Sequence, residues 1–342
     1  MNLLVSILEP SANLHFEPIY KSLKNCKIFG IFDERFGKPI LPSSAFSIMG
    51  FVDAISKIWL AKKTIKQMVE ISSKVDKVLL IDSPAFNLPL AKAIKEANPK
   101  VTIVYYILPQ VWAWRANRVK KVESYCDVLA SILPFESKFY NRSLYVGNPL
   151  LDEISDFKNG YTRSGVVSFL PGSRKSEIKR LFPIYKEVAK RVDKKKILVI
   201  PKHFSQDDID KIYGDVSGFE VSRDARESFL RSEFAFVCSG TATLEGSLIG
   251  TPLVLAYKAK RVDTFIAKRF VKIKYVGLAN IILDFAKMEP LHAELLQEKV
   301  TVENLLKEYE QMDCERFYKR SKELHRILKH GSSKDMIRIL NE

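Results

Sequence analysis

Two segments in the second half of the chain combine small residues with charge where a strand-like run gives way to a helical one. Ser239-Gly-Thr-Ala-Thr-Leu-Glu245 follows the apolar run Phe234 to Cys238 and precedes Gly250-Thr-Pro-Leu-Val-Leu-Ala256. Small residues let a ligand approach backbone N–H groups at a helix N-terminus, and a nearby acid accepts from ribose hydroxyls, which is how α/β proteins hold nucleotides. The same residues also describe a plain capped helix, with Ser239 or Thr241 as N-cap and Glu245 in the first turn. Leu170-Pro-Gly-Ser-Arg-Lys-Ser-Glu-Ile178 is the second segment. Gly172 permits an unusual backbone angle, Ser173 can cap, and Arg174 adds charge where helix amides already attract an anion. A diphosphate there would gain charge-assisted hydrogen bonds of roughly 1.5 to 3 kcal/mol each. Two such turns in one half favour this over an Arg174 that merely pairs with a neighbouring acid.

The first half carries a different chemistry. Leu80-Ile-Asp-Ser-Pro-Ala-Phe-Asn87 puts Asp82 at the end of a buried strand, where side chains of α/β sheets face the ligand crevice. Tyr106-Ile-Leu-Pro-Gln-Val-Trp-Ala-Trp-Arg115 ends the next strand with two tryptophans and an arginine, suited to gripping a sugar or a phosphate. A packed aromatic corner and an Asp82 that only caps a helix remain the competing accounts.

These residues need strands to carry them. Short β-rich runs alternate with helical patterns at Leu3 to Leu8, Val78 to Ile81, Val101 to Ile107, Val128 to Leu133, Val166 to Leu170, Ile197 to Ile200, Phe234 to Cys238 and Leu253 to Tyr257. The alternation predicts parallel βαβ units: an α/β protein of two doubly wound, Rossmann-like domains facing a cleft. A polar stretch between Pro149 and Ser164 sets the expected boundary, giving an N-terminal domain over 1–155 and a C-terminal domain over 156–342. Residues Phe46 to Glu70 carry a broad apolar face beside Lys57, Lys62, Lys63 and Lys66. Packing on the core is the favoured role of that helix, and a lysine-edged lipid surface is the alternative. The amphipathic tail from Cys314 to Asn341 is expected to pack back on the N-terminal domain or on a partner subunit in a homodimer.

Composition narrows the partners. A chain of 342 residues with 46% hydrophobic content can build two cores. A net charge of +15 implies an acidic partner, with nucleic acid, anionic lipid and phosphorylated small molecules as candidates. No zinc-finger spacing or RNA-recognition pattern occurs, so nucleic acid is not expected. Cys26, Cys126, Cys238 and Cys314 are too scattered for a metal knot and read as reduced thiols of a cytosolic protein. His15, His203, His292, His325 and His330 show no metal spacing, and no nucleophile elbow, Walker loop or HExxH appears. The start, Met1 to Leu8, reads as a first strand rather than a signal peptide, and no run is long enough to span a membrane.

Taken in order, the segments resemble the bacterial lipid-A-disaccharide synthase family. The resemblance rests on Ile81-Asp-Ser-Pro-Ala-Phe-Asn87, Pro109-Gln-Val-Trp-Ala-Trp-Arg115, Ile132-Leu-Pro-Phe-Glu136, Val146-Gly-Asn-Pro-Leu-Leu-Asp152, Leu170-Pro-Gly-Ser-Arg174, Ser239 to Glu245, and Val276-Gly-Leu-Ala-Asn-Ile281 leading to Glu294-Leu-Leu-Gln297. It implies a GT-B glycosyltransferase of Gram-negative lipopolysaccharide synthesis, peripheral on the cytoplasmic face of the inner membrane with its anionic surface. The enzyme would join UDP-2,3-diacylglucosamine to 2,3-diacylglucosamine 1-phosphate (lipid X), giving the β-1,6 disaccharide phosphate and UDP without metal or cofactor. By the same carry-over Asp82 is the expected base, with Glu9 in reserve. Gly172, Ser173, Arg174, Ser239, Gly240, Thr241, Glu245 and Asn280 would line the UDP side. Ser11, Asn13, Asn87, Trp114 and Arg115 would belong to the acceptor side.

The chain departs from the family pattern in two places. The usual first-strand loop, Gly-Glu-x-Ser-Gly-Asp, is here Leu8-Glu-Pro-Ser-Ala-Asn13, so Ala12 brings a Cβ to the expected sugar-facing loop and Asn13 cannot be a base. Ala85 stands where a second aspartate is frequent. A UDP-N-acetylglucosamine 2-epimerase-like enzyme and a degenerate, non-catalytic nucleotide-sugar-binding protein are the two alternatives.

Overall fold

Along β1 (Asn2–Ile7) the side chains of Leu3, Val5 and Ile7 enter one apolar cluster and Leu4 another, the period of two of a strand covered on both faces. The computed structural model describes residues 1–45, 54–113, 116–258 and 273–342. These divide into unit 1, Met1–Glu153 with Leu328–Glu342, and unit 2, Ile154–Ile327.

Unit 1 continues through α1 (Pro10–Ser22), β2 (Lys27–Phe32), β3 (Leu41–Pro42), α2 (Ala54–Ser72), β4 (Lys77–Ile81), α3 (Pro84–Ala97), β5 (Thr102–Tyr106), α4 (Arg118–Tyr125), β6 (Val128–Ser131), β7 (Ser143–Tyr145) and α5 (Pro149–Glu153). Its sheet is parallel in the order β3-β2-β1-β4-β5-β6-β7. The order reverses between β1 and β4, so the loops after Ile7 and Ile81, which pair in register, flank the switch point where such sheets take ligands. Met68, Leu90, Ala91 and Ile94 cover one face of the sheet. Of the Phe46 to Glu70 helix, only the part from Ala54 lies within the described residues; Met68 and Thr64 are buried, while Ile58 and Trp59 are 58% and 64% exposed.

Unit 2 repeats the plan: β8 (Val166–Leu170), α6 (Lys175–Arg191), β9 (Lys195–Val199), α7 (Gln206–Ile212), β10 (Glu220–Ser222), α8 (Ala225–Arg231), β11 (Phe234–Cys238), α9 (Thr241–Ile249), β12 (Leu253–Tyr257), α10 (Leu278–Phe285), β13 (Glu294–Leu296), α11 (Val302–Gln311) and α12 (Cys314–Ile327). Its parallel sheet runs β10-β9-β8-β11-β12-β13, reversing between β8 and β11. The loops after these two strands are the Leu170 to Ile178 and Ser239 to Glu245 segments. A core built on Phe169, Phe182, Tyr185 and Phe236 fixes β8 and β11 behind them.

The tail does not form one helix. It breaks after α12, and α13 (Ser332–Asn341) packs on α1 in unit 1, burying Met336, Ile339 and Leu340 with Phe16 and Ile19. Gly147 permits the return: at its φ of +97° a Cβ would lie 2.5 Å from the Lys329 carbonyl oxygen.

Candidate functional site

Both segments of unit 2 open helices; no side chain caps α9, and in α6 the Glu177 side chain accepts from the N-cap amide. Gly240 is the N-cap of α9, leaving exposed amides that lack intrahelical acceptors. Neither Ser239 nor Thr241 caps it, and Glu245 lies in the second turn rather than the first, because the helix begins at Thr241. The Glu245 carboxylate is engaged by Arg226 Nε of α8 at 2.6 Å. Arg226 therefore joins the candidate residues; no spacing in the sequence links it to Glu245.

In the other segment the N-cap of α6 is Arg174, not Ser173, which is exposed. Gly172 has φ +122°, and a Cβ there would meet Glu177 Cβ at 2.9 Å and Cys238 Sγ at 3.3 Å. The buried Glu177 accepts from the Arg174 amide at 3.3 Å and from its guanidinium at 3.0 Å. The Arg174 side chain is nevertheless 77% exposed. The guanidinium thus reaches solvent while its partner Glu177 is buried, so a phosphate at this mouth can meet Arg174 from the solvent side.

Asn280, expected on the UDP side, is held by partners within unit 2. It is fully buried, donating to Glu294 Oε1 at 2.8 Å and the His292 carbonyl at 2.9 Å while accepting from Leu291 N at 2.7 Å. Glu294 in turn accepts from the Val276 and Gly277 amides at 2.7 and 3.0 Å. Asn280 and Glu294 thus fix the start of α10. Burial pushes the His292 imidazole down to about 4, so it stays neutral in this network at neutral pH.

Unit 1 builds its mouth from strained backbone. Asp82 and Ser83 have φ of +51° and +45°, and the β-branched Ile107 has φ of +61°. Conformations of this kind cost on the order of 1 to 3 kcal/mol each unless surroundings enforce them. Here they do. The Asp82 carbonyl accepts from Asn87 Nδ2 at 2.7 Å and from the Tyr105 hydroxyl at 2.8 Å, and its amide donates to the Tyr106 carbonyl at 3.1 Å. Asn87, fully buried, also donates to the Ile81 carbonyl and accepts from Ser6 Oγ at 2.6 Å. Asn87, expected on the acceptor side, braces the turn behind Asp82. The Asp82 carboxyl is half-buried, and burial raises it above the usual carboxylate range, opposed by the Ser83 amide and then by the charge of His15. Ser83 Oγ is buried with no hydrogen-bond partner among the described residues.

The Leu8 to Asn13 loop also differs from expectation. Ala12 lies in α1 at 1% exposure, packed with Phe16, so its Cβ enters the core instead of a sugar-facing surface. Asn13 is equally buried, donating to the Glu9 carbonyl at 3.0 Å and accepting from Asp33 N at 2.9 Å. It ties α1 to the end of β2. Glu9 is the N-cap of α1, exposed, with its carboxylate not used in capping; Ser11 is half-buried in the first turn. Ala85 is exposed at the start of α3.

Trp114 and Arg115 lie outside the described residues. The loop before them is held by Glu136, whose carboxylate accepts from Trp112 Nε1 at 3.4 Å and Leu133 N at 3.2 Å. Burial pushes Glu136 up to about 8. Trp112 meets Phe135 edge-on at 5.4 Å between centroids, so one of the two tryptophans is a packing residue, 6% exposed.

The chain is similar to known proteins over nearly its whole length. A family profile described as lipid-A-disaccharide synthetase matches residues 3–337. A lipid-A-disaccharide synthase of Campylobacter jejuni subsp. jejuni is 47% identical, with 99% of each chain covered. One of Helicobacter pylori is 47% identical over 99% of this chain and 97% of its own. Among solved structures, CalG4, the calicheamicin glycosyltransferase, aligns with a TM-score of 0.60 at 12% identity over 99% of this chain and 97% of that one. The UDP-GlcNAc 2-epimerase of Neisseria meningitidis bound to UDP-GlcNAc aligns with a TM-score of 0.58 at 13% identity over the whole of both chains. At such identities the two structures speak for the fold alone.

Proposed function

The chain belongs to the lipid-A-disaccharide synthase family, and on that premise we propose that Asp82 is the base of its glycosyl transfer, with the UDP leaving group held by unit 2. The protein is a glycosyltransferase that forms the lipid A disaccharide. The epimerase alternative is not favoured, since the epimerase likeness is one of fold at 13% identity and the 47% relatives are synthases.

The donor is UDP-2,3-diacylglucosamine and the acceptor 2,3-diacylglucosamine 1-phosphate. Inversion at the anomeric carbon is a single displacement: the acceptor 6-hydroxyl oxygen bonds to that carbon as the bond to the UDP oxygen breaks. The hydroxyl proton passes to Asp82. The observation that carries this role is a half-buried carboxyl at the switch point, raised by burial and fixed from behind by Asn87 and Tyr105. A base closer to neutral takes the proton more readily, and such a group contributes about 10²- to 10⁴-fold. The departing diphosphate gains charge on its oxygens. Arg174 and the first-turn amides of α6 and α9 are suited to receive it.

Both substrates carry acyl chains, and the protein is peripheral at the inner membrane's cytoplasmic face. None of the described helices is long and apolar enough to cross a membrane. Exposed Ile58 and Trp59, with Lys62, Lys63 and Lys66 on the same helix, support an apolar contact rimmed by charge that favours anionic lipid. Mass spectrometry of the product from purified protein, both diacyl substrates and an Asp82→Asn control tests the assignment. Acceptor-dependent UDP release with a disaccharide phosphate supports it, and UDP-sugar binding without turnover contradicts it.

A further inference from the structure

Arg226 and Glu245 belong to different helices that both start at the carboxyl edge of the unit 2 sheet. Two residues separate β10 from α8, and two separate β11 from α9. Glu245 lies one turn below the exposed Thr241, on the same face of α9 as that first residue. The start of α8 is fixed on both sides of its N-cap. The Asp224 carboxylate accepts from the Glu227 amide at 3.0 Å, and Arg223 donates to the carbonyls of Pro201, Lys202 and Phe204 at 3.0, 3.1 and 2.8 Å.

The two helices approach closely at one glycine. A Cβ on Gly246 would lie 2.8 Å from the Phe229 ring of α8. Phe229 stands one turn after Arg226, and Gly246 directly follows Glu245, so this contact brings the guanidinium onto the carboxylate, Nε to Oε1 at 2.6 Å. With its side chain 13% exposed and one oxygen on Arg226, the carboxylate is confined to one orientation. A carboxylate only accepts hydrogen bonds, and it repels a diphosphate. The part of a uridine nucleotide that offers it two adjacent donors is the ribose, through the 2′- and 3′-hydroxyls.

We propose that Arg226 is a positioning residue for the donor: it holds Glu245 where that carboxylate meets the ribose hydroxyls, and so makes the site selective for ribonucleotides. The inference rests on unit 2 holding the nucleotide. A carboxylate already fixed costs the ligand nothing to order, and the guanidinium upon it offsets its repulsion of the diphosphate on the same ligand. Arg226 acts through Glu245, and in this it differs from Arg174, whose exposed guanidinium meets phosphate itself.

The test is calorimetric binding of UDP and of 2′,3′-dideoxy-UDP, which lacks both hydroxyls, to the purified full chain. The wild type is expected to prefer UDP by about tenfold or more, the worth of one charge-assisted bond. Arg226→Gln removes that preference: UDP binds about tenfold more weakly, while the dideoxy nucleotide stays within about twofold of its wild-type affinity. Arg226→Lys, which keeps the charge, recovers part of the preference. Glu245→Gln loses it, and adding Arg226→Gln to Glu245→Gln costs little more. Arg174→Ala, by contrast, weakens both nucleotides alike. An Arg226→Gln protein that weakens both alike assigns this arginine to phosphate or to the fold, and one that keeps the full preference shows that Glu245 does not need it; either result overturns the inference. A wild type that binds both nucleotides equally overturns it through Glu245, whereas one that binds neither removes the nucleotide reading of unit 2 itself. Should Arg226→Gln fail to fold, the Arg226 Nε–H resonance of the wild type decides: displacement by UDP and not by the dideoxy nucleotide is expected, and any other pattern overturns the inference.

Discussion

The two units share one topology and use its switch point in opposite ways. Unit 2 opens its mouth with Gly172 and Gly240, an α9 start without a side-chain cap, and an Arg174 that is 77% exposed. Unit 1 turns at the same topological place with Asp82 and Ser83, both side-chain-bearing and both at positive φ, braced by the buried Asn87 and Tyr105. A diphosphate needs amides and charge that it can reach, and openness serves that. A base needs one carboxyl in one place with limited water, and strain held by buried hydrogen bonds serves that. Under the proposed roles, the difference between the mouths is the difference between binding a charge and moving a proton.

The largest break in that contrast is expected at Asp82. Asp82→Asn, nearly isosteric, should lower kcat by about 10²- to 10⁴-fold in a UDP-release assay, and a loss under tenfold would take the base away from unit 1. Arg174→Ala should cost about 10- to 10²-fold in kcat/KM for the donor, the worth of one or two charge-assisted bonds. If the acceptor KM rose instead, the contrast would be inverted. Asn87→Ala unlocks the strained turn: unfolding in urea should show a loss of about 1 to 3 kcal/mol, with kcat falling as well. A loss of stability with full activity would mean that the brace serves the core and not Asp82.

The smallest effect concerns pH. Glu136 in unit 1 has its folded carboxyl raised by burial to about 8, above its value of 4.5 in the unfolded chain. Its contribution to stability is therefore complete below about pH 4.5 and is lost as pH rises through about 8. Glu136→Gln should flatten this, on the order of 1 kcal/mol of unfolding free energy between pH 7 and pH 8 relative to the wild type. Parallel curves for the two proteins would contradict it.

What the sequence made legible follows the same divide. The strands read from apolar runs, such as Val78 to Ile81 in unit 1 and Phe234 to Cys238 in unit 2, are strands at the centre of each sheet, where burial on both faces leaves continuous hydrophobic letters. Edge and interrupted strands did not announce themselves: β2 is Lys-Ile-Phe-Gly-Ile-Phe, and β10 and β13 are three residues each. In unit 2 the glycines mark the mouth directly, because only a residue without Cβ fits at Gly172. In unit 1 nothing in Ile81-Asp-Ser-Pro announces two left-handed residues, since ordinary side chains there rely on partners distant in sequence. Asn13, Asn87 and Asn280 entered the expected site through the family resemblance; the structure buries all three and uses their amides within the fold. Arg226 beside Glu245 and Glu153 beside His15 are long-range pairs, which no spacing can reveal.

One titration bears on the division of labour between the units most directly: UDP binding by calorimetry to the wild type, Asp82→Asn and Arg174→Ala, with turnover measured on the same samples. If unit 2 holds the nucleotide and unit 1 the base, Asp82→Asn binds UDP as the wild type does and fails to turn over, while Arg174→Ala loses about tenfold or more in UDP affinity. An Asp82→Asn protein that loses UDP affinity, or an Arg174→Ala protein that keeps it in full, contradicts that division.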